Sequence, residues 1–127
     1  MSFTTYLENK VLDHVLGTTA YTAPATAYIG LFTSATNEAG SGTEVSGGSY
    51  VRKAMAFDAS SSGATDNTSA VEFATATASW GTISHTAIYD AVSGGNMLAQ
   101  TALTASKTIG TGDVFRFQAG EFDVTLD

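Results

Sequence analysis

From residue 27 onward the sequence repeats one short figure. A run rich in β-branched and aromatic side chains is followed by a cluster of Gly, Ser, Asn or Asp. The runs fall at 27–33, 50–57, 70–74, 82–89, 96–103, 107–109, 113–118 and 121–126, and the turn clusters at 37–42, 46–49, 60–63, 93–96 and 110–113. Strands spaced at about ten residues, with no helical period between them, belong to sandwiches and jelly-roll-like barrels and not to βαβ units. The clearest hairpin is Ser93-Gly-Gly-Asn96, between two strand patterns. This pattern predicts a mostly β chain, an antiparallel β-sandwich or jelly-roll-like domain over 27–127.

The exception comes first in the chain. Leu7, Val11 and Val15 recur every four residues, and Leu12 and Leu16 widen the stripe. Ser2 is a candidate N-cap, Thr5 with Glu8 a candidate capping box, and Gly17 a C′ residue suited to the left-handed conformation. The expectation is one N-terminal α-helix over 2–17. With 127 residues the whole chain, 1–127, reads as a single domain. Two long polar stretches, 33–49 and 59–69, read as loops available for adaptable contacts with another protein surface.

Charge narrows the function. Twelve acidic residues against five basic give a net charge of −7. Arg52 and Lys53 are the one adjacent basic pair, and strand alternation points them to opposite faces, so nucleic-acid binding is not expected. Only 13% of residues are charged, and a surface of small neutral side chains suits a protein packed against partners. There are no cysteines, hence no disulfide framework or thiolate chemistry, which favours assembly in a reducing cytoplasm. Neither a leader-like start nor an apolar run long enough to span a bilayer is seen, so no membrane role is expected.

A search for chemistry returns little. There is no G-x-S-x-G elbow, no H-E-x-x-H and no EF-hand loop. The two histidines read as a helix boundary residue, His14, and a sheet-face or interface residue, His85. Asp58, Asp66, Asp113, Glu121 and Asp123 could assemble a calcium site only by convergence of several loops, and Asp113 and Asp123 read more simply as a turn residue and the polar half of a strand. Gly40-Ser-Gly42 and Gly110-Thr-Gly112 lack the following helix of a phosphate cradle. Asn67-Thr-Ser69 fits a glycosylation sequon. No catalytic residue, cofactor or metal is expected, and the chain does not read as an enzyme. Most aromatics read as core. Trp80, and Tyr6 and Tyr21 around the helix, are candidate partner contacts, because aromatic residues are enriched at interfaces.

Several stretches resemble a family of short bacteriophage virion proteins: Tyr6-Leu-Glu-Asn-Lys-Val-Leu-Asp-His-Val-Leu-Gly17, Tyr28-Ile-Gly-Leu-Phe-Thr-Ser34, Gly42-Thr-Glu-Val-Ser-Gly-Gly-Ser-Tyr50, Ala78-Ser-Trp-Gly-Thr-Ile-Ser-His85 and the run from Gly112 to Asp127. Members are commonly labelled tail fibre proteins, and a small β-rich protein of this kind also resembles capsid decoration, or cement, proteins. The resemblance implies a virion structural protein and transfers no catalytic residue. Decoration is the preferred expectation, because the chain has neither a repetitive shaft nor a large receptor-binding tip. On that reading the protein sits on the capsid surface of the virion and is assembled in the host cytoplasm. It binds the major capsid protein and itself, as a homotrimer or dimer, through Tyr6, Tyr21, Trp80, His85 and Phe122. The alternative is a tail fibre or tail-associated structural or host-binding protein.

Overall fold

The computed structural model describes residues 1–126. In chain order the elements are β1 (Ser2–Phe3), α1 (Thr5–Val15), β2 (Ala27–Phe32), β3 (Lys53–Met55), β4 (Ala64–Thr65), β5 (Val71–Glu72), β6 (Gly81–Tyr89), β7 (Met97–Ile109), β8 (Arg116–Phe117) and β9 (Val124–Thr125). The chain is mostly β with one helix, as the spacing predicts. Its framework is a five-stranded antiparallel sheet in the order β1-β7-β6-β2-β3. The second layer consists of two short two-stranded ladders, β4–β9 and β5–β8, instead of a second full sheet.

Alternation along β2 sorts the two faces. Ile29 and Leu31 point to one side and pair across from Ile88 and Thr86, whereas Tyr28 and Phe32 point to the other, opposite Tyr89 and His85. The first face carries the main core and meets Val71, Phe73, Phe115, Phe117 and Phe122 of the second layer. Rings run through this core in a chain, Tyr50–Phe73–Phe115–Phe117–Phe122–Phe57, with neighbouring centroids 5.1 to 6.1 Å apart. Most of these contacts are edge-to-face, the arrangement the ring quadrupole favours by about 0.5–1.5 kcal/mol per pair. The opposite face buries a smaller cluster of Phe32, Ala87, Tyr89 and Met97, with Tyr28 packed against it.

The helix is shorter than 2–17. Ser2 and Phe3 are extended and pair with Gln100 and Ala99. The cap is Thr4, neither Ser2 nor Thr5. Its hydroxyl donates to the Met97 carbonyl at 2.6 Å and accepts from the Leu7 amide at 3.4 Å. That buried bond to β7 fixes Thr4 in extended geometry, so helical dihedrals begin only at Thr5. Gly17 follows the C-cap Leu16 with φ +78°, the expected left-handed terminator.

The two long polar stretches are tied down. Over 33–49, Glu44 bridges to Phe32 and the Val45 amide donates to the Leu31 carbonyl at 2.9 Å. Stretch 59–69 contains β4, paired with β9, and the buried Asn67. The Asn67 side-chain amide donates to the Ser69 and Gln118 carbonyls, both at 2.8 Å, and its carbonyl accepts from the Phe122 amide at 2.8 Å. This asparagine is a clamp between layers, with no free nitrogen for a sugar.

Candidate functional site: a closed sheet end and an open groove

The hairpin joining β6 to β7 turns through Ser93-Gly-Gly-Asn96, with φ +59° and +70° at Gly94 and Gly95. Asp90 closes it by accepting from the Asn96 backbone amide at 2.7 Å and side-chain amide at 2.9 Å. Over this loop lies Arg52, 8% exposed. Its Nη1 donates to the Ala91 and Gly94 carbonyls at 2.9 and 2.8 Å, while Nε and Nη2 grip the two Glu44 oxygens at 2.7 and 2.8 Å. The guanidinium carbon sits 3.4 Å from the Tyr89 ring centroid, so face, fork and edge of the cation are all occupied.

Tyr50 completes the network. Its hydroxyl donates to Glu44 Oε1 at 2.8 Å and accepts from the Leu31 amide at 2.9 Å. Burial above all, helped by the Glu44 carboxylate and opposed by the Leu31 amide, holds the phenol well above its ordinary 10.0. The cluster lies so close to β2 that a Cβ at Gly30 would stand 3.0 Å from Glu44 Oε1 and 3.4 Å from the Tyr50 hydroxyl. Gly30 is there for that approach. These charged groups bond to one another and to loop carbonyls, which makes the cluster a fastening for loops 33–52 and 90–96.

The other end of the sheet is open. Opposite Ser84 the ladder breaks: His85 pairs with Ala102 and Ile83 with Lys107, so Leu103, Thr104, Ala105 and Ser106 arch out against one residue of β6. β1 covers β7 only at Ala99 and Gln100. Beyond it a groove of about 320 Å³ runs between the arch and the segment leading to β9. Core rings Phe115, Phe117 and Phe122, each no more than 6% exposed, lie against it, and Leu103, Lys107, Glu121 and Asp123 also line it. The Lys107 ammonium lies 5.1 Å from the Phe115 ring centroid.

The five residues expected at an interface are scattered. Trp80 is 5% exposed, donates to the Gly48 carbonyl at 2.9 Å and packs edge-on against Tyr50 and Phe73. It is a core residue, because burying the indole satisfies both its area and its N–H. Phe122 is buried too, reaching the surface only as groove floor. His85 is half-buried on the small-cluster side of the sheet, with Nδ1 2.8 Å from Ser84 Oγ. Tyr6 and Tyr21 are half-buried around the helix, where burial, then Tyr6 and Asp90, push the Tyr21 phenol up. The acids weighed for calcium do not converge. Asp113 accepts from the Gly110 amide, Glu121 from the Gln118 amide and Asp58 from the Thr68 hydroxyl. Among the described residues no three His, Asp or Glu are placed to hold a metal. No helix among them is long and apolar enough to cross a membrane.

Sequence reasoning missed Glu44, Arg52 and the open groove. The helix held a signal it did not use, an apolar arc wider than the body can cover. Leu12, Val15 and Leu16 are 56, 70 and 75% exposed.

The buried polar groups of this scaffold fasten loops, while the groove beside β7 and the apolar end of α1 lie open. The chain belongs to the family described as Podophage GP4 fiber I protein gp80, whose model matches residues 2–125. It is a phage virion structural protein of a fibre-related family. The family's description favours the tail fibre alternative over the decoration reading preferred from sequence. No curated protein matches the chain.

Proposed function

We propose that the protein is a tail fibre or tail-associated component of a podophage virion, acting by shape and contact and not as an enzyme. The observation that carries this reading is the fibre family's match along almost the whole chain, residues 2–125. The internally consumed charges of Glu44 and Arg52 fit it, since a contact protein needs rigid loops more than reactive groups. Its partners are other tail proteins and further copies of itself, while the major capsid protein is the partner the decoration reading requires.

The test is where the copies sit. Antibody-gold labelling and reconstruction of purified virions should place a small number of copies on the tail. A regular array over the capsid shell, with particles losing heat stability when the protein is omitted, would overturn the tail reading and restore decoration.

A further inference from the structure

The crossing from α1 to β2, residues 16–26, runs over the surface, and only Tyr21 and Pro24 in it are half-buried. Its first residues are tied by ordinary helix-end bonds. The Leu16 amide donates to the Leu12 carbonyl, Gly17 to His14, and Thr18 and Thr19 both to Asp13. Beyond Thr19 these bonds stop. Among the described residues, the one hydrogen bond made by 20–26 runs from the Tyr21 amide to Nδ1 of His14, at 3.1 Å.

The donor fixes the chemistry of that bond. A backbone N–H can only donate, so Nδ1 must offer a lone pair, and the ring is neutral with its hydrogen on Nε2. Protonation places a second N–H where the acceptor was, and the tether becomes two donors facing each other. Histidine is the side chain whose charge ordinarily changes between about pH 8 and pH 5.

Charges of both signs surround the ring. Lys10, one turn before His14 on the same side of α1, has its ammonium 5.6 Å from the Tyr6 ring centroid and opposes a second positive charge. Asp13 and the carbonyls of the helix end favour one. On the facing side, Tyr6 and Asp90 are the ionisable groups that act on the Tyr21 phenol. Lys10 has only donors, and the Asp90 oxygens are bonded to Asn96. Neither stands in for the lost acceptor.

We propose that His14 is a protonation-sensitive latch, which as a neutral ring ties the α1–β2 crossing back onto the helix end and as imidazolium releases residues 20–26. The elements on either side are held by other means. The Thr4 hydroxyl bonds α1 to β7, with Tyr6 and Leu7 against the core, and β2 is paired on both edges, with β3 and β6. Acid therefore loosens one connection and leaves helix and sheet in place. The inference does not depend on where the protein sits in the virion.

Nuclear magnetic resonance on the full chain tests it, by amide exchange and ring titration together. As pH falls from about 7.5 to about 5.5, protection of the Tyr21 amide, relative to its intrinsic exchange rate, should drop about two- to tenfold, the range of one net hydrogen bond. The midpoint should follow the His14 ring signal and not that of His85. The Thr18 amide, bonded to the Asp13 carbonyl, is the internal reference and should keep its protection. His14→Gln removes the titrating group, so its Tyr21 protection should be the same at both pH values while the circular dichroism spectrum is retained. A wild-type Tyr21 amide indifferent to pH, a drop that persists in His14→Gln, or an equal drop at Thr18 would overturn the proposal.

Discussion

The two ends of the main sheet treat their polar groups in opposite ways. At the hairpin end Arg52, Glu44 and Tyr50 bond to one another, and Arg52 and Asp90 bond to the 91–96 loop. At the arch end the ladder is interrupted, and Lys107, Glu121 and Asp123 line a groove whose floor is core. Charged residues at the first end are bonded within the chain and largely buried, whereas at the second Lys107 and Asp123 are exposed beside the groove and Glu121, also exposed, is held by the Gln118 amide. The abundance of polar residues in a loop therefore does not distinguish a structural role from a contact role. What distinguishes them is whether the partners of those groups lie within the chain.

The sharpest way to break the closed end is to remove half of its ion pair. Arg52 and Glu44 have side-chain exposures of 8% and 24%, so Glu44→Ala leaves a largely buried guanidinium without its carboxylate. A loss of about 3–5 kcal/mol is expected, read as a lower urea midpoint. A loss below about 1 kcal/mol would be the size of a surface pair and would show that the network is ornamental.

Asn67→Ala comes next. It removes acceptor and donors at once and orphans the Phe122 amide and the Ser69 and Gln118 carbonyls. The expected cost is about 1–3 kcal/mol, with faster amide exchange at Phe122 as its local signature. Unchanged exchange there would mean that the second layer does not hang on this clamp.

Alkaline pH sharpens the contrast without a mutation. The Tyr50 phenol is raised in the folded chain above its ordinary 10.0, so the unfolded chain loses that proton first. Its stabilising contribution is complete below about pH 10 and declines as pH rises beyond it. Thermal midpoints measured upward from pH 9 should fall more steeply in wild type than in Tyr50→Phe, whatever the variant's starting stability. Equal slopes would place the alkaline sensitivity elsewhere.

Much of this molecule is legible in its sequence where partners are near in the chain. The helix stripe, Gly17 as its terminator, the Ser93–Asn96 hairpin and the strand patterns around β2 and β6 all come from local periodicity and turn chemistry. What escapes is set by distant partners. Ala64 and Thr65 look like loop because the strand that pairs them, Val124–Thr125, lies near the other end of the chain. Strict alternation would put Ile83 and His85 on one face. The arch at Ser84 parts them, sending Ile83 into the main core and His85 to the opposite face. Alternation did separate Arg52 from Lys53, yet nothing local reveals that Arg52 is buried, because two of its acceptors are carbonyls of the 90–96 loop. The groove is invisible for the same reason, its lining coming from separate segments.

The smallest expected effect is the one that separates fold from contact within a single helix. Leu7 packs against the main core, whereas Leu12 is 56% exposed. In a chain kept too dilute to associate, Leu12→Ser should change stability by no more than about 0.5 kcal/mol. Leu7→Ala should cost more, though less than the roughly 2–5 kcal/mol of a fully buried leucine, because Leu7 is only half-buried. The comparison is internal to α1 with its cap unchanged, and Leu12→Ser loses more helix propensity than Leu7→Ala, so a smaller cost at Leu12 marks a face the body does not use. If Leu12→Ser proves as costly as Leu7→Ala, the arc is part of the fold, and the open end of the molecule has less to offer a partner than its exposed leucines suggest.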